Sequence, residues 1–179
     1  DIDIEETKAL VDRWFGEIKP SKDMPAPQSQ PVTLSETKKL FYLDKFARLP
    51  EIRLTFPTVE QYHPDSYALD VLASILSDGK KAPLYKELVE LKKLAPGASA
   101  SQSSDEIAGA FTIRVRGNSG VDLDDVYAGI EASLGQFEQQ GVDPKNLQRI
   151  KAEQETGFYN NVSSALNKAF QLGIYNEFA

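Results

Sequence analysis

The sequence predicts an α+β domain in which an antiparallel-rich sheet carries helices on one face. Three observations predict it. Residues 51–56 and 110–116 alternate apolar and polar side chains with the period of a half-buried strand. The segments that begin near 64, 83, 122 and 143 open on proline or aspartate and then repeat apolar residues at helical spacing. Their order along the chain is strands, two helices, strands, helices, which suits one layer of helices on one sheet face.

Taken from the N-terminus, Asp3 followed by Glu6 is a capping-box-like start, and Leu10, Val11, Trp14, Phe15 and Ile18 then share one helix face. The stretch from Lys19 to Gln30, with Pro20, Pro25 and Pro27 and then Pro31, reads as an extended linker. Lys38 to Leu43 and Glu51 to Phe56 are predicted strands. Pro64 opens a helix whose buried face is Ala68, Val71, Leu72, Ile75 and Leu76, and Gly79 ends it as a left-handed cap. Pro83 starts the next helix, which directs Leu84, Leu88 and Leu91 to the core.

Ala98 to Ser103 and Ala110 to Arg116 are two more strands, joined through SSDE. Asp122 caps a helix that runs to about Gln139, and its early carboxylates suit the positive helix end. Asp143 and Pro144 begin a last, long helical region that should be interrupted near Gly157. Tyr42, Tyr62, Tyr67, Tyr85 and Phe56 read as core or rim aromatics.

Composition narrows the function. The chain has 179 residues, 41% hydrophobic and 26% charged, about one domain with enough apolar material for a core. Its net charge of -7 repels nucleic acid and anionic membranes. No cysteine is present, which removes disulfides, thiolate zinc sites and cysteine nucleophiles together. No apolar run approaches a membrane span. The first residue is Asp1 and no signal segment is present, so the chain is expected to be a piece of a longer one.

Residues 77–85, SDGKKAPLY, place a glycine-lysine loop before a helix. A phosphate-binding loop requires a preceding strand, a glycine five positions before Gly79 and a hydroxyl after the lysine. Ser74 stands at the first position, Lys81 at the second, and the preceding segment is helical. The phosphate reading fails.

The stretch PEIRLTFPTVEQYHPDSYALDVLASILSDGKKAPLYKELVELKKLAPGASASQSS resembles the non-catalytic second domain of the pitrilysin/insulinase-type zinc peptidases, the family that includes the mitochondrial processing peptidase subunits. GVDPKNLQRIKAEQETGF is similar to that family's Gly-Val-x-x-x-x-Leu-x-x-x-Lys helix, and DIDIEETKALVDRWFGEI to the end of its first domain. The resemblance rests on the order and spacing of these pieces and covers nearly the whole chain. It implies three parts: residues 1–18 as the last helix of a preceding peptidase domain, 19–37 as a proline-rich linker, and 38–179 as an incomplete substrate-chamber domain. A terminal strand and helix would then lie beyond Ala179, leaving the sheet short. The helix of 1–18 is expected to dock on the helix-bearing side of its own or a neighbouring copy's sheet.

The family's chemistry uses His-x-x-Glu-His with a further glutamate ligand. This chain has one histidine, His63, placed just before Pro64 where a helix-capping or exposed role is expected, so neither zinc nor catalysis is assigned to it. Zinc is implied only for the parent enzyme. In complete members the glycine loop continues with an arginine and a later Leu-Ala-Tyr supplies a tyrosine, and the two hold the peptide backbone near the zinc. Here those slots are Pro83 in KAPL and Pro96 in LAP, and a proline side chain donates no hydrogen bond. Gly79, Lys80 and Lys81 are thus the loop candidates of a degenerate peptide-binding site; the two lysines otherwise read as solvated loop charges.

The resemblance implies a non-catalytic domain of a zinc metalloendopeptidase that degrades or processes peptides, partnered by a catalytic domain in cis or a homologous half. An enzymatically silent partner subunit and a peptide-binding or assembly module remain as alternatives. Bacterial relatives favour the periplasm. Arg114 and Arg116, with Asn118 following, suggest an anion site, but alternating charges read far more readily as an ordinary solvated sheet face, and no site is assigned there. Asp122, Asp124 and Asp125 lack the ligand pattern of a calcium loop. Asn161-Val162-Ser163 is a formal glycosylation acceptor inside a predicted helix.

Overall fold

A three-stranded antiparallel sheet of order β1-β3-β2 is formed by Glu51–Thr58, Gly109–Arg116 and Ala98–Ser104 respectively. The computed structural model describes residues 2–21, 25 and 27–178. The middle strand β3 sets which side is inside. Phe111, Ile113 and Val115 are buried, while Arg114 and Arg116 between them are exposed. Cross-strand pairing aligns Ile52 with Val115, Leu54 with Ile113, and on the other flank Ala98 with Val115 and Ala100 with Ile113. One face is therefore apolar across all three strands, as antiparallel sheets with one covered side require.

Helices cover that face. Helix α2, Pro64–Ser77, packs on β2 and contributes Ala73 and Leu76; α4, Leu123–Gln140, packs on β1 and contributes Val126 and Ile130. Between them runs a short α3, Pro83–Tyr85, that continues as a π-helical turn, Lys86–Leu91, and supplies Leu84 and Leu88. Leu88 meets α4 where Gly129 has no side chain: a Cβ there would stand 2.6 Å from Leu88 Cδ2. Helix α5, Pro144–Ser163, rests on α2 through the buried Ile150, and α6, Ala165–Phe178, follows it.

The caps behave as the residues dictate. Asp122 Oδ1 accepts from Asp124 N at 2.9 Å, Asp143 Oδ1 accepts from Lys145 N at 3.0 Å, and Gly79 follows the end of α2 with φ of 81°. Asp3 Oδ1 accepts from Glu6 N at 2.8 Å at the start of α1, Ile4–Phe15.

Several expectations are corrected. Lys38–Leu43 forms no strand: Leu40 is 96% exposed, Phe41 and Tyr42 86%, and no neighbouring strand pairs with them among the described residues. Strand propensity without a partner ladder leaves backbone groups to water, so the extended run stays irregular. In α2 the buried positions are Ser66, Ala73, Ile75 and Leu76, whereas Ala68 is exposed. Leu91 is exposed as well, because the wider i→i+5 turn rotates it off the stripe that holds Leu84 and Leu88. The final helical region breaks at Ser164, not Gly157. Ser164 is extended, with ψ of 128°, and its Oγ accepts from Asn167 N at 3.4 Å as a new helix cap, while Gly157 sits exposed within α5.

Of the aromatics expected at the core or its rim, Tyr42 is 86% exposed and belongs to neither, whereas Phe56 and Tyr67 are about half exposed, as rim positions are. Helix α1 buries no residue, so Leu10, Val11, Trp14, Phe15 and Ile18 find no cover on this chain's own sheet. Residues 22–24 and 26 of the linker lie outside the described residues, but its far end is fastened: Ser29 Oγ donates to Glu60 Oε2 at 2.9 Å and Gln30 N to Ile107 O at 2.8 Å. Further on, Lys39 Nζ stands 5.5 Å from the centre of the Tyr127 ring on α4.

On the uncovered sheet face, Glu51 accepts from Arg114 through Nε at 2.9 Å and Nη2 at 2.8 Å, and from Arg116 at 3.3 and 3.1 Å. The Arg114 hydrogen bonds, aided by those from Arg116, hold the Glu51 carboxyl down to about 2 against desolvation. Because the folded value lies below the unfolded one, this contribution is present above about 4.5 and is lost as pH falls toward 2. The arginines are half exposed, so solvent screens the pairs. Glu51→Gln should lower unfolding free energy near neutral pH by about 1 kcal/mol, with the gap closing across that acidic window. Urea titrations of both proteins at a series of pH values check this; a gap independent of pH would contradict it.

Candidate functional site

The two proline slots lie in one connection, between the end of α2 and the start of β2. Gly79 turns the chain with its positive φ, Ala82 N donates to Gly79 O at 3.1 Å, and the buried Ala82 delivers Pro83 to the first position of α3. A proline suits that position, where the missing N–H has no helical partner. Pro83 is half-buried, and Lys80 and Lys81 on the loop before it are exposed.

The other end of the connection is folded back on Leu88. Leu94 N and Ala95 N both donate to Leu88 O, at 2.8 and 3.3 Å, after Lys93 has turned the chain with φ of 52°. Asn118 clasps the same bend: its N donates to Leu94 O and its Nδ2 to Lys93 O, both at 2.8 Å. Ala95 is buried and Pro96 is exposed. The bend is thus rigidly held while Pro96 faces solvent without a donor. Asn118, grouped with Arg114 and Arg116 by sequence, holds this bend instead. Nothing in the sequence marks the π-turn between the slots, since KELVEL carries neither proline nor glycine.

The donor set does not suit zinc. His63 is the N-cap of α2, its Nδ1 accepting from Asp65 N at 3.1 Å, and among the described residues no group of three or more His, Cys, Asp or Glu side chains could hold a metal. No step of any reaction is assigned to a metal on this chain.

The second surface of interest is the uncovered sheet face. Arg53, Arg114 and Arg116 gather around Glu51, with Arg53 Nη2 3.8 Å from Glu51 Oε1. The pairing register adds Thr55 and Thr112 and, on β2, Ser99 and Ser101. Alternation alone set Arg114 and Arg116 outward; only the β1–β3 register brings Glu51 and Arg53 beside them. Two shallow hollows elsewhere lie along α6, one lined by Leu166, Phe170 and Ile174, the other reaching Tyr62, whose ring centre is 5.6 Å from that of Tyr175.

The family described as the peptidase M16 inactive domain matches residues 1–154. The zinc protease PqqE of Helicobacter pylori is 29% identical over 107 residues, 60% of this chain and 24% of the relative. The crystal structure of a protease from Helicobacter pylori superposes with a TM-score of 0.82 at 23% identity, covering 98% of this chain and 42% of the other. The first half of the periplasmic protease PqqL from Escherichia coli gives 0.61 at 19% identity over 91% of this chain and 36% of the other. These structures share the α+β fold. The chain spans about a quarter of the length of the curated relative it matches.

If His63 serves α2 as a cap, His63→Ala should cost about 1 kcal/mol of stability and His63→Asn should restore most of it, since asparagine is a strong N-cap residue. Chemical unfolding of the three proteins measures this. Equal stability of all three would remove the cap assignment.

Proposed function

Since the chain belongs to the peptidase M16 inactive domain family, we propose that it is the non-catalytic, substrate-chamber domain of a zinc metalloendopeptidase that degrades or processes peptides. The match over residues 1–154 carries this reading. The zinc and the hydrolytic machinery would belong to a catalytic domain, in cis or on a homologous half. This domain would supply one wall against which a partly unfolded peptide lies extended. Similarity to PqqL, a periplasmic protease, supports a periplasmic setting.

Pro83 and Pro96 are the degenerate slots of that wall, with Gly79, Lys80 and Lys81 forming the loop beside them. Their lack of donors favours one variant of the reading, an enzymatically silent partner that shapes the chamber without gripping the peptide backbone.

Two measurements test the proposal. The purified chain should hold no stoichiometric zinc and cleave no unfolded peptide; tightly bound zinc together with hydrolysis would overturn it. Pro83→Arg with Pro96→Tyr should then tighten peptide binding about thirtyfold, since each restored donor contributes about 1 kcal/mol net. The first change adds a backbone N–H at the first helical position, where no helical acceptor is required. Fluorescence anisotropy reads the affinity, and unchanged binding would show that the slots do not face a peptide.

A further inference from the structure

We propose that the uncovered face of the sheet is a binding surface for acidic segments of an unfolded polypeptide, an inference that rests on the chamber reading and adds a substrate preference to it. The face carries three arginines against one glutamate, a surplus of two positive charges, on a chain whose net charge is -7. The acidic surplus of the protein therefore lies elsewhere, and the local potential on this face is opposite in sign to the whole.

The arrangement around Glu51 leaves donors free. Its two carboxylate oxygens take the hydrogen bonds from Arg114 and Arg116, while Arg53 approaches only to 3.8 Å, beyond hydrogen-bond range. A guanidinium has five N–H donors in a planar fork that matches a carboxylate. Glu51 thus orients Arg114 and Arg116 and uses only part of their donor capacity. Around them stand hydroxyls, Thr55, Thr112, Ser99 and Ser101, which accept or donate to a peptide backbone without demanding a particular side chain.

An acidic peptide fits this face better than a nucleic acid does. The residues that the register places on it include no aromatic ring on which a base could stack. A long polyanion would also meet the negative remainder of the chain.

The test uses labelled unfolded peptides of equal length that carry Glu, Gln or Lys at the same positions, titrated with this chain by anisotropy. The Glu peptide should bind about tenfold tighter than the Gln peptide, with the difference shrinking as salt is raised. Arg53→Gln with Arg116→Gln should remove most of that preference. Glu51→Gln should act in the opposite direction, strengthening acidic-peptide binding about threefold by raising the surplus charge and releasing donors. A variant that merely misfolds cannot produce that gain. If the three peptides bind alike and neither set of changes matters, the acidic preference is wrong and the chamber reading stands. If no peptide binds at all, the acidic preference falls, and of the chamber reading only the silent partner that does not grip substrate is left. Tighter binding of a single-stranded oligonucleotide than of the Glu peptide would overturn the choice of ligand.

Discussion

Everything in the domain depends on β3 being paired on both flanks. Its alternation fixes an inside and an outside, and because β1 and β2 are in register with it, the choice is imposed on the whole sheet. A one-residue slip would put Arg114 under the helices and Ile113 in water. The cover then follows from volume: Leu84 and Leu88 fill the space between α2 and α4, and the close approach of Leu88 to α4 is possible because position 129 is glycine. Such a layer tolerates little change in side-chain volume.

The parts legible in the sequence are those in which a local signal and the tertiary context agree. β1, β3 and α4 have strict alternation or a side-chain cap, and they form close to the expected residues. The parts that were misread need information from elsewhere in the chain. Lys38–Leu43 has strand composition, but a strand is a relation between two segments, and its partner is not encoded locally. Leu91 is misplaced because helical periodicity assumes a constant turn, and a π-turn violates that without a sequence mark. Glycine is a weak helix former, which points to a break at Gly157, but the chain breaks at Ser164, where the side-chain oxygen caps the next helix.

The family was legible in a different way. No single short motif identifies it, and the order and spacing of several pieces does, in agreement with the family match and the shared fold. What spacing could not convey is the mechanical state of the loop: the Leu88 carbonyl and the Asn118 side chain hold the bend before Pro96, so the connection is fixed even though the slots carry no donors. Nor could it convey the cluster around Glu51, which exists only once strands far apart in sequence are paired.

The unpaired run Leu40–Leu43 has a colloidal consequence. Leu40, Phe41, Tyr42 and Leu43, large side chains exposed in a row and of strand-forming type, make a template for sheet growth between molecules, as an open edge does. The run is bracketed by Lys38 and Lys39 on one side and Asp44 and Lys45 on the other. Charges at those positions act as gatekeepers, because stacking two copies in register brings like charges together before the apolar residues can interdigitate. Their protection weakens as salt shortens the screening length, so ionic strength sets how well this chain stays dispersed at high concentration.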